Sequence, residues 1–167
     1  MSCQDDQKAG EPIVELKAKR SFDEAPVSFD WHDFLARLPE RGRAYASNDR
    51  VRLPRARSTG LQYRCTTAGV TSFKEPRWGT TLAGTTPDGT VVWTAEAIDT
   101  QSLRTTISSE DYVLDTGLTN GGESSADLKY TVLVRGGTNG QEYRVKHQVA
   151  CANGEDKEAV GILPVAD

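Results

Sequence analysis

Apolar residues in this chain alternate with polar ones over short runs and almost never recur at helical spacing. Val27, Phe29 and Trp31 alternate with Ser28 and Asp30, the period-two pattern of a half-buried strand. Val51 and Leu53 alternate with arginines until Pro54, which ends that strand or places it at an edge. Leu61, Tyr63 and Cys65 alternate with Gln62, Arg64 and Thr66, giving a second strand in this region. Between Thr67 and Gly89 the chain is loop-rich, and the turn Pro87-Asp88-Gly89 leads into a third strand over Thr90–Thr94. The clearest strand runs from Asp127 to Arg135, with Leu128, Tyr130, Val132 and Val134 in alternation. Gly136-Gly137 and Asn139-Gly140 tolerate positive φ and predict a hairpin loop. Tyr143, Val145, His147, Val149 and Cys151 then return in period two, and a last strand is expected over Ala159–Val165. The single helical signal is one turn over His32–Leu38, stopped by Pro39. Short strands punctuated by turn signals predict an all-β fold of the sandwich kind.

A length of 167 residues fits one domain or two small ones. The chain is 37% apolar and 26% charged, ordinary for a soluble protein, and its net charge of −4 argues against binding a polyanion. No apolar run approaches the ~20 residues of a membrane span. The opening MSCQDDQKAGEP lacks the positive-then-apolar order of a signal peptide. Residues 1–25 are polar apart from Ile13, Val14 and Leu16. They read as an extended N-terminal arm, ordered only against partners, with those three residues as its anchor. Cys3, Cys65 and Cys151 are spaced to fit no zinc or redox motif. Cys65 and Cys151 read as thiols buried in strands, and Cys3, in the arm, is the candidate for an intermolecular disulfide.

Reactive chemistry is sparsely provided. The histidines are His32 and His147, and His147 sits on the apolar parity of its strand, where it reads as a packed or interface residue. Cys151 lies four residues from it on one strand, ~13 Å away at strand rise, too far for a nucleophile–base pair. Acidic pairs such as Glu110-Asp111 and Glu155-Asp156 read as solvated turns, and Gly117 to Gly122 as a loop. No catalytic, cofactor or metal site is therefore expected, and no enzymatic activity. Arginine is the one local asymmetry: seven fall between Arg41 and Arg64, against the single acid Asp49. Arg50, Arg52, Arg55, Arg57 and Arg64 are the candidate contact with a protein partner, since a guanidinium makes planar bidentate bonds. Tyr63, Trp78 and Trp93 are the candidate core of a small module around them, because each large aromatic buries ~150–250 Å². The other reading of Trp78, Trp93, Tyr45 and Tyr63 is a sugar-stacking face.

Two stretches carry a resemblance. Cys65-Thr66-Thr67-Ala68-Gly69, Glu75-Pro76-Arg77-Trp78 and Asp88-Gly89-Thr90-Val91-Val92-Trp93-Thr94 follow one another as in a small Trp-rich β-module that recurs in virion proteins of tailed bacteriophages. Ile107-Ser108-Ser109, Gly117-Leu118-Thr119, Gly136-Gly137-Thr138-Asn139-Gly140 and Tyr143, Val145 and Val149 resemble the immunoglobulin-like domain of phage fibre–tail adaptors and head–tail structural proteins. Tyr112 stands near the position where that family usually has Trp, and the ending ANGEDKEAVGILPV lacks its Arg-rich last hairpin. In those relatives a Phe-Asp-Trp segment lies just upstream of the Ile-Ser-Ser strand, whereas here Phe29-Asp30-Trp31 precedes it by about seventy residues. The resemblance thus implies an immunoglobulin-like β-sandwich over 26–40 and 96–167, interrupted by an inserted module at 41–95, with Phe29 and Trp31 in the same sheet system as Val132 and Val145. It further implies a structural component of a virion whose partners are other virion proteins in a symmetric assembly, with no nucleic acid and no membrane. The alternative is a carbohydrate-binding module that engages host surface glycans.

Overall fold

The computed structural model describes residues 12–16, 20 and 23–166, and is all-β apart from short helical turns. Its strands, in chain order, are β1 (Ile13–Glu15), β2 (Ala25–Asp30), β3 (Ala44–Tyr45), β4 (Arg50–Arg52), β5 (Gln62–Thr67), β6 (Gly69–Val70), β7 (Thr85–Asp88), β8 (Val91–Glu96), β9 (Ile107–Leu114), β10 (Leu118–Ala126), β11 (Lys129–Gly136), β12 (Glu142–Cys151) and β13 (Asp156–Pro164). One turn of α-helix, α1 (His32–Leu35), follows β2, and 3-10 turns span Arg55–Arg57 and Thr100–Ser102. The chain divides into two compact units, one running to Phe34 and resuming at Thr105, the other spanning Leu35–Arg104.

The discontinuous unit holds two antiparallel sheets, ordered β1-β2-β11-β10 and β13-β12-β9. Strand β2 joins β11 although a hundred residues separate them, with Val27 opposite Val132 and Phe29 opposite Tyr130. Val27, Phe29, Trp31, Val132, Val134, Val145, His147 and Leu163 are fully buried or nearly so, because period-two alternation sends one parity of every strand to the same core. Val145 belongs to the other sheet, β13-β12-β9, and not to that of Phe29 and Val132.

Three local features depart from the sequence pattern. The strand expected from Asp127 begins at Lys129, because Asp127 and Leu128 both take positive φ (44° and 67°) and form the two-residue turn from β10. The glycine-rich stretch after Gly117 is strand β10, not a loop. Its backbone pairs with β11 through a bulge at Asn120/Gly122, and its side chains are almost all exposed, so no apolar alternation could reveal it. Within the span read as an unordered arm, Ile13–Glu15 pairs with β2 as an edge strand. Val14 and Leu16 pack against Gly161 of β13, whose missing side chain leaves them room.

The continuous unit is a four-stranded antiparallel sheet, β4-β5-β8-β7, beside the small ribbon β3-β6. Its ends are tied together: the Arg104 N–H donates to Leu35 O at 2.8 Å and the Arg37 N–H to Ser102 O at 2.9 Å. Its core is Tyr45, Val51, Leu53, Tyr63, Cys65, Val91, Trp93 and Ala95, with Leu61 and Trp78 packed on it. Strands β7 and β8 turn at Gly89, where φ is +66° and a Cβ would lie 2.4 Å from Val70 O, so only glycine fits.

Candidate functional site

The aromatic centre of the continuous unit is built from Tyr45, Tyr63, Trp78 and Trp93. Trp93 and Tyr63 are fully buried, while Trp78 is half-buried and spans them, with ring centroids 6.0 Å from Trp93 and 4.6 Å from Tyr63. Tyr45 meets the other side of Trp93 edge-on at 4.9 Å. Each polar tip has a partner. The Trp93 indole N–H donates to Asp88 Oδ2 at 3.3 Å, around the Gly89 turn. The Trp78 indole donates to Glu75 Oε1 at 3.1 Å, and the Tyr63 hydroxyl to Gly79 O at 2.6 Å. Asp88 is the hub: its buried carboxylate also accepts from Arg41 Nη1 at 2.9 Å and from the Ser72 N–H at 3.0 Å. Glu75 is in turn paired with Arg57. Burial acts to raise the Glu75 pKa, but the bonds from Arg57 and Trp78 outweigh it and hold the carboxyl below its ordinary range. Tyr63, Trp78 and Trp93 are thus brought together as a core.

The candidate docking arginines make bonds within the chain itself. Arg50, Arg52 and Arg64 do share the side of the sheet away from the aromatic core, as alternation requires. On that side the chain's own residues engage them, with Arg50 and Arg64 left part-exposed. Glu96, at the end of β8, accepts from Arg50 Nε at 2.6 Å, from Arg64 Nε at 3.1 Å and from Gln62 Nε2 at 2.9 Å. Arg52 is only 3% exposed and donates to Ser102 Oγ at 2.6 Å and Asp99 O at 2.7 Å. Arg57 pairs with Glu75, and Arg55 lies half-buried in the 3-10 turn. The acids that take up this charge lie downstream of the arginine-rich stretch, so local charge counting misses them. Burial alone would raise the Glu96 pKa, but the bonds from Arg50, Gln62 and Arg64 hold it below the usual carboxylate range.

In the discontinuous unit the polar centre is His147. Its ring is fully buried, with Tyr112 stacked on it at 4.5 Å and Phe29, Trp31 and Tyr130 around it at 5.2–5.8 Å. The Trp31 indole N–H donates to His147 Nδ1 at 2.8 Å. An indole nitrogen can only donate, so Nδ1 is the acceptor and the ring proton sits on Nε2, facing Glu110 Oε2 at 3.0 Å. Burial pushes the His147 pKa down to about 4, against a smaller upward pull from Asp111. Burial also raises the Glu110 pKa, with Glu123 adding to it. The neutral imidazole ties Trp31, just after β2, to β9 and β12 as a packed structural group; its two partners lie 116 and 37 residues away, beyond the reach of local pattern.

Cys65 and Cys151 are buried thiols; burial, then Asp49, pushes the Cys65 pKa up, which favours the unreactive protonated form. Cys3 lies outside the described residues. Ile13 is 36% exposed at the sheet edge, and Val14 and Leu16 are half-buried against Gly161, so this anchor engages the chain's own sheets. No group of three or more metal-ligating side chains gathers among the described residues, and no helix among them is long and apolar enough to cross a membrane. No protein-family model, no curated protein and no solved structure matches the chain.

Proposed function

We propose that this chain is a non-enzymatic structural component of a tailed-phage particle, joining or decorating other virion proteins at the head–tail or tail–fibre junction or on the capsid surface. In this reading the discontinuous unit is an immunoglobulin-like β-sandwich, and the continuous unit is the Trp-rich module carried as an insertion. One observation carries the proposal. The two separated pieces of the immunoglobulin-like pattern lie in one unit, with Phe29 of the first piece opposite Tyr130 of the second. The shared residues of the smaller module support it as well: Asp88 with Trp93, and Glu75 with Trp78, are partners that hold a fold together. The packing disfavours a glycan-binding face, since Trp78 stacks against Tyr63 and Trp93.

The test is mass spectrometry of intact particles purified on a density gradient, together with a glycan array of the purified protein. The chain is expected at fixed stoichiometry in particles and without sugar binding. Absence from particles, with sugar binding lost in a folded Trp78→Ala variant, overturns the proposal in favour of glycan recognition.

A further inference from the structure

Phe73 is 90% exposed, whereas the other exposed large apolar side chains reach at most 60%. It is a presented group and not a loose one. Its ring rests on Gly42, where a Cβ would come within 2.7 Å of it. The residues before it are pinned: Thr71 Oγ1 donates to Glu40 O at 2.8 Å and accepts from the Arg43 N–H at 3.0 Å, and the Ser72 N–H is held by Asp88. Lys74 and Arg77 follow, both exposed, and neither forms an ion pair among the described residues. An ordered loop therefore offers one aromatic ring followed by two uncommitted cations.

The complementary surface is on the same chain, in its other unit. A cleft of about 410 Å³ opens across β9, β12 and β13, with Ser109, Asp111, Gln148, Ala150, Asp156 and Glu158 among its lining residues. The cleft is open to solvent and not enclosed, and its volume exceeds the ~150 Å³ that takes a benzene ring in a closed apolar cavity, so a phenyl group can lie along it. Glu158 is engaged by Lys146 and Gln148, Glu110 by His147, and Lys157 lies over the Phe34 ring. The Asp111 and Asp156 carboxylates have no such partner among the described residues. Exposed Val113 and Val160 continue the same sheet face, two residues along from Asp111 and Glu158.

We infer that the Phe73 loop of one copy of this chain docks into the β9-β12-β13 cleft of a second copy, with Lys74 and Arg77 facing Asp111 and Asp156. This rests on the assembly reading above and names its partner. The contact uses different surfaces on the two copies, so it can close reciprocally between two chains or continue into a ring or filament. A membrane is a poorer occupant, because one aromatic and two cations fall short of the two signals that stable anchoring takes. A single buried aromatic with a charged rim is enough for a protein contact.

Sedimentation equilibrium of the full chain tests this. Association that strengthens with concentration and weakens with salt is expected. Phe73→Ala should weaken it at least about tenfold, the effect of losing an anchor residue. Phe73→Asp and the double variant Asp111→Lys with Asp156→Lys should each be monomeric, with circular dichroism unchanged because these side chains are exposed. Mixed together, they should form one-to-one complexes, since each keeps the half that the other lacks. A chain that stays monomeric at every concentration, association that persists in both variants, or a mixture that fails to complex overturns the inference. So does vesicle or glycan binding by a monomeric chain that is lost on Phe73→Ala. Particle composition is read separately: a monomeric chain found in particles overturns this contact alone, and a self-associating chain absent from them overturns the assembly reading alone.

Discussion

At the scale of single residues, burial keeps the His147 ring from charging until about pH 4, against an ordinary value of 6.5. A proton on Nδ1 would in addition face the Trp31 indole N–H donor. The unfolded chain takes up that proton first as pH falls. This stabilisation is therefore complete above about 6.5 and is lost progressively on descent to about 4, amounting to roughly 3 kcal/mol. Glu110 acts in the opposite sense, because its raised pKa lets the folded state gain a proton first, and it offsets part of the loss. Urea titrations between pH 4 and 7 should show this slope. Trp31→Phe keeps a ring but removes the donor. It should lower stability at neutral pH by roughly 1–2 kcal/mol and flatten the acid limb. An unchanged acid limb in that variant would show that burial alone sets the histidine's pKa.

At the scale of elements, the β4-β5-β8 sheet depends on Glu96 on one face and on its aromatic core on the other. Arg50 and Arg64 are directly cross-strand, and like charges so placed repel unless an acid lies between them. Glu96→Ala should therefore cost about 2 kcal/mol, more than an ordinary surface ion pair, because it leaves two half-buried guanidinium groups and Gln62 without their acceptor. Since the Glu96 pKa is depressed, its contribution is fully present above the ordinary carboxylate value and is lost as pH falls below that value through the depressed one. On the opposite face, Trp93→Ala should cost roughly 3–5 kcal/mol and unfold this small unit at moderate temperature. Loss of near-ultraviolet ellipticity on heating reports both changes.

At the scale of the whole molecule, unit boundaries and strand pairing predict how the chain can be cut. A fragment spanning 35–104 has its ends hydrogen-bonded together and its own core, so it should fold alone with a cooperative thermal transition. A fragment spanning 96–167 lacks β2 and with it Phe29 and Trp31, leaving β11 unpaired on one side and His147 without its indole donor. It should be unfolded or aggregated, as an unpaired edge beside an unfilled core implies. Folding of that fragment with the stability of the full chain would show that β2 is dispensable.

Much of the β structure was legible in the alternation of Val27, Phe29 and Trp31, of Tyr63 and Cys65, and of Tyr143 to Cys151, because a strand with one buried face must repeat every two residues. β10 was not legible, since its pairing is made by backbone groups that every residue carries. The Trp-rich core of the continuous unit could be named from Tyr63, Trp78 and Trp93, the aromatics large enough to fill so small a module. The fate of the arginines could not. Alternation gave the face that Arg50, Arg52 and Arg64 occupy, but only the folded chain brings Glu96, Asp99 and Ser102 onto that face. Local pattern determines which side of a strand a residue takes. What lies across from it is settled by contacts between residues far apart in the chain, as with Trp31, His147 and Glu110, whose partnership depends on three elements meeting in one core.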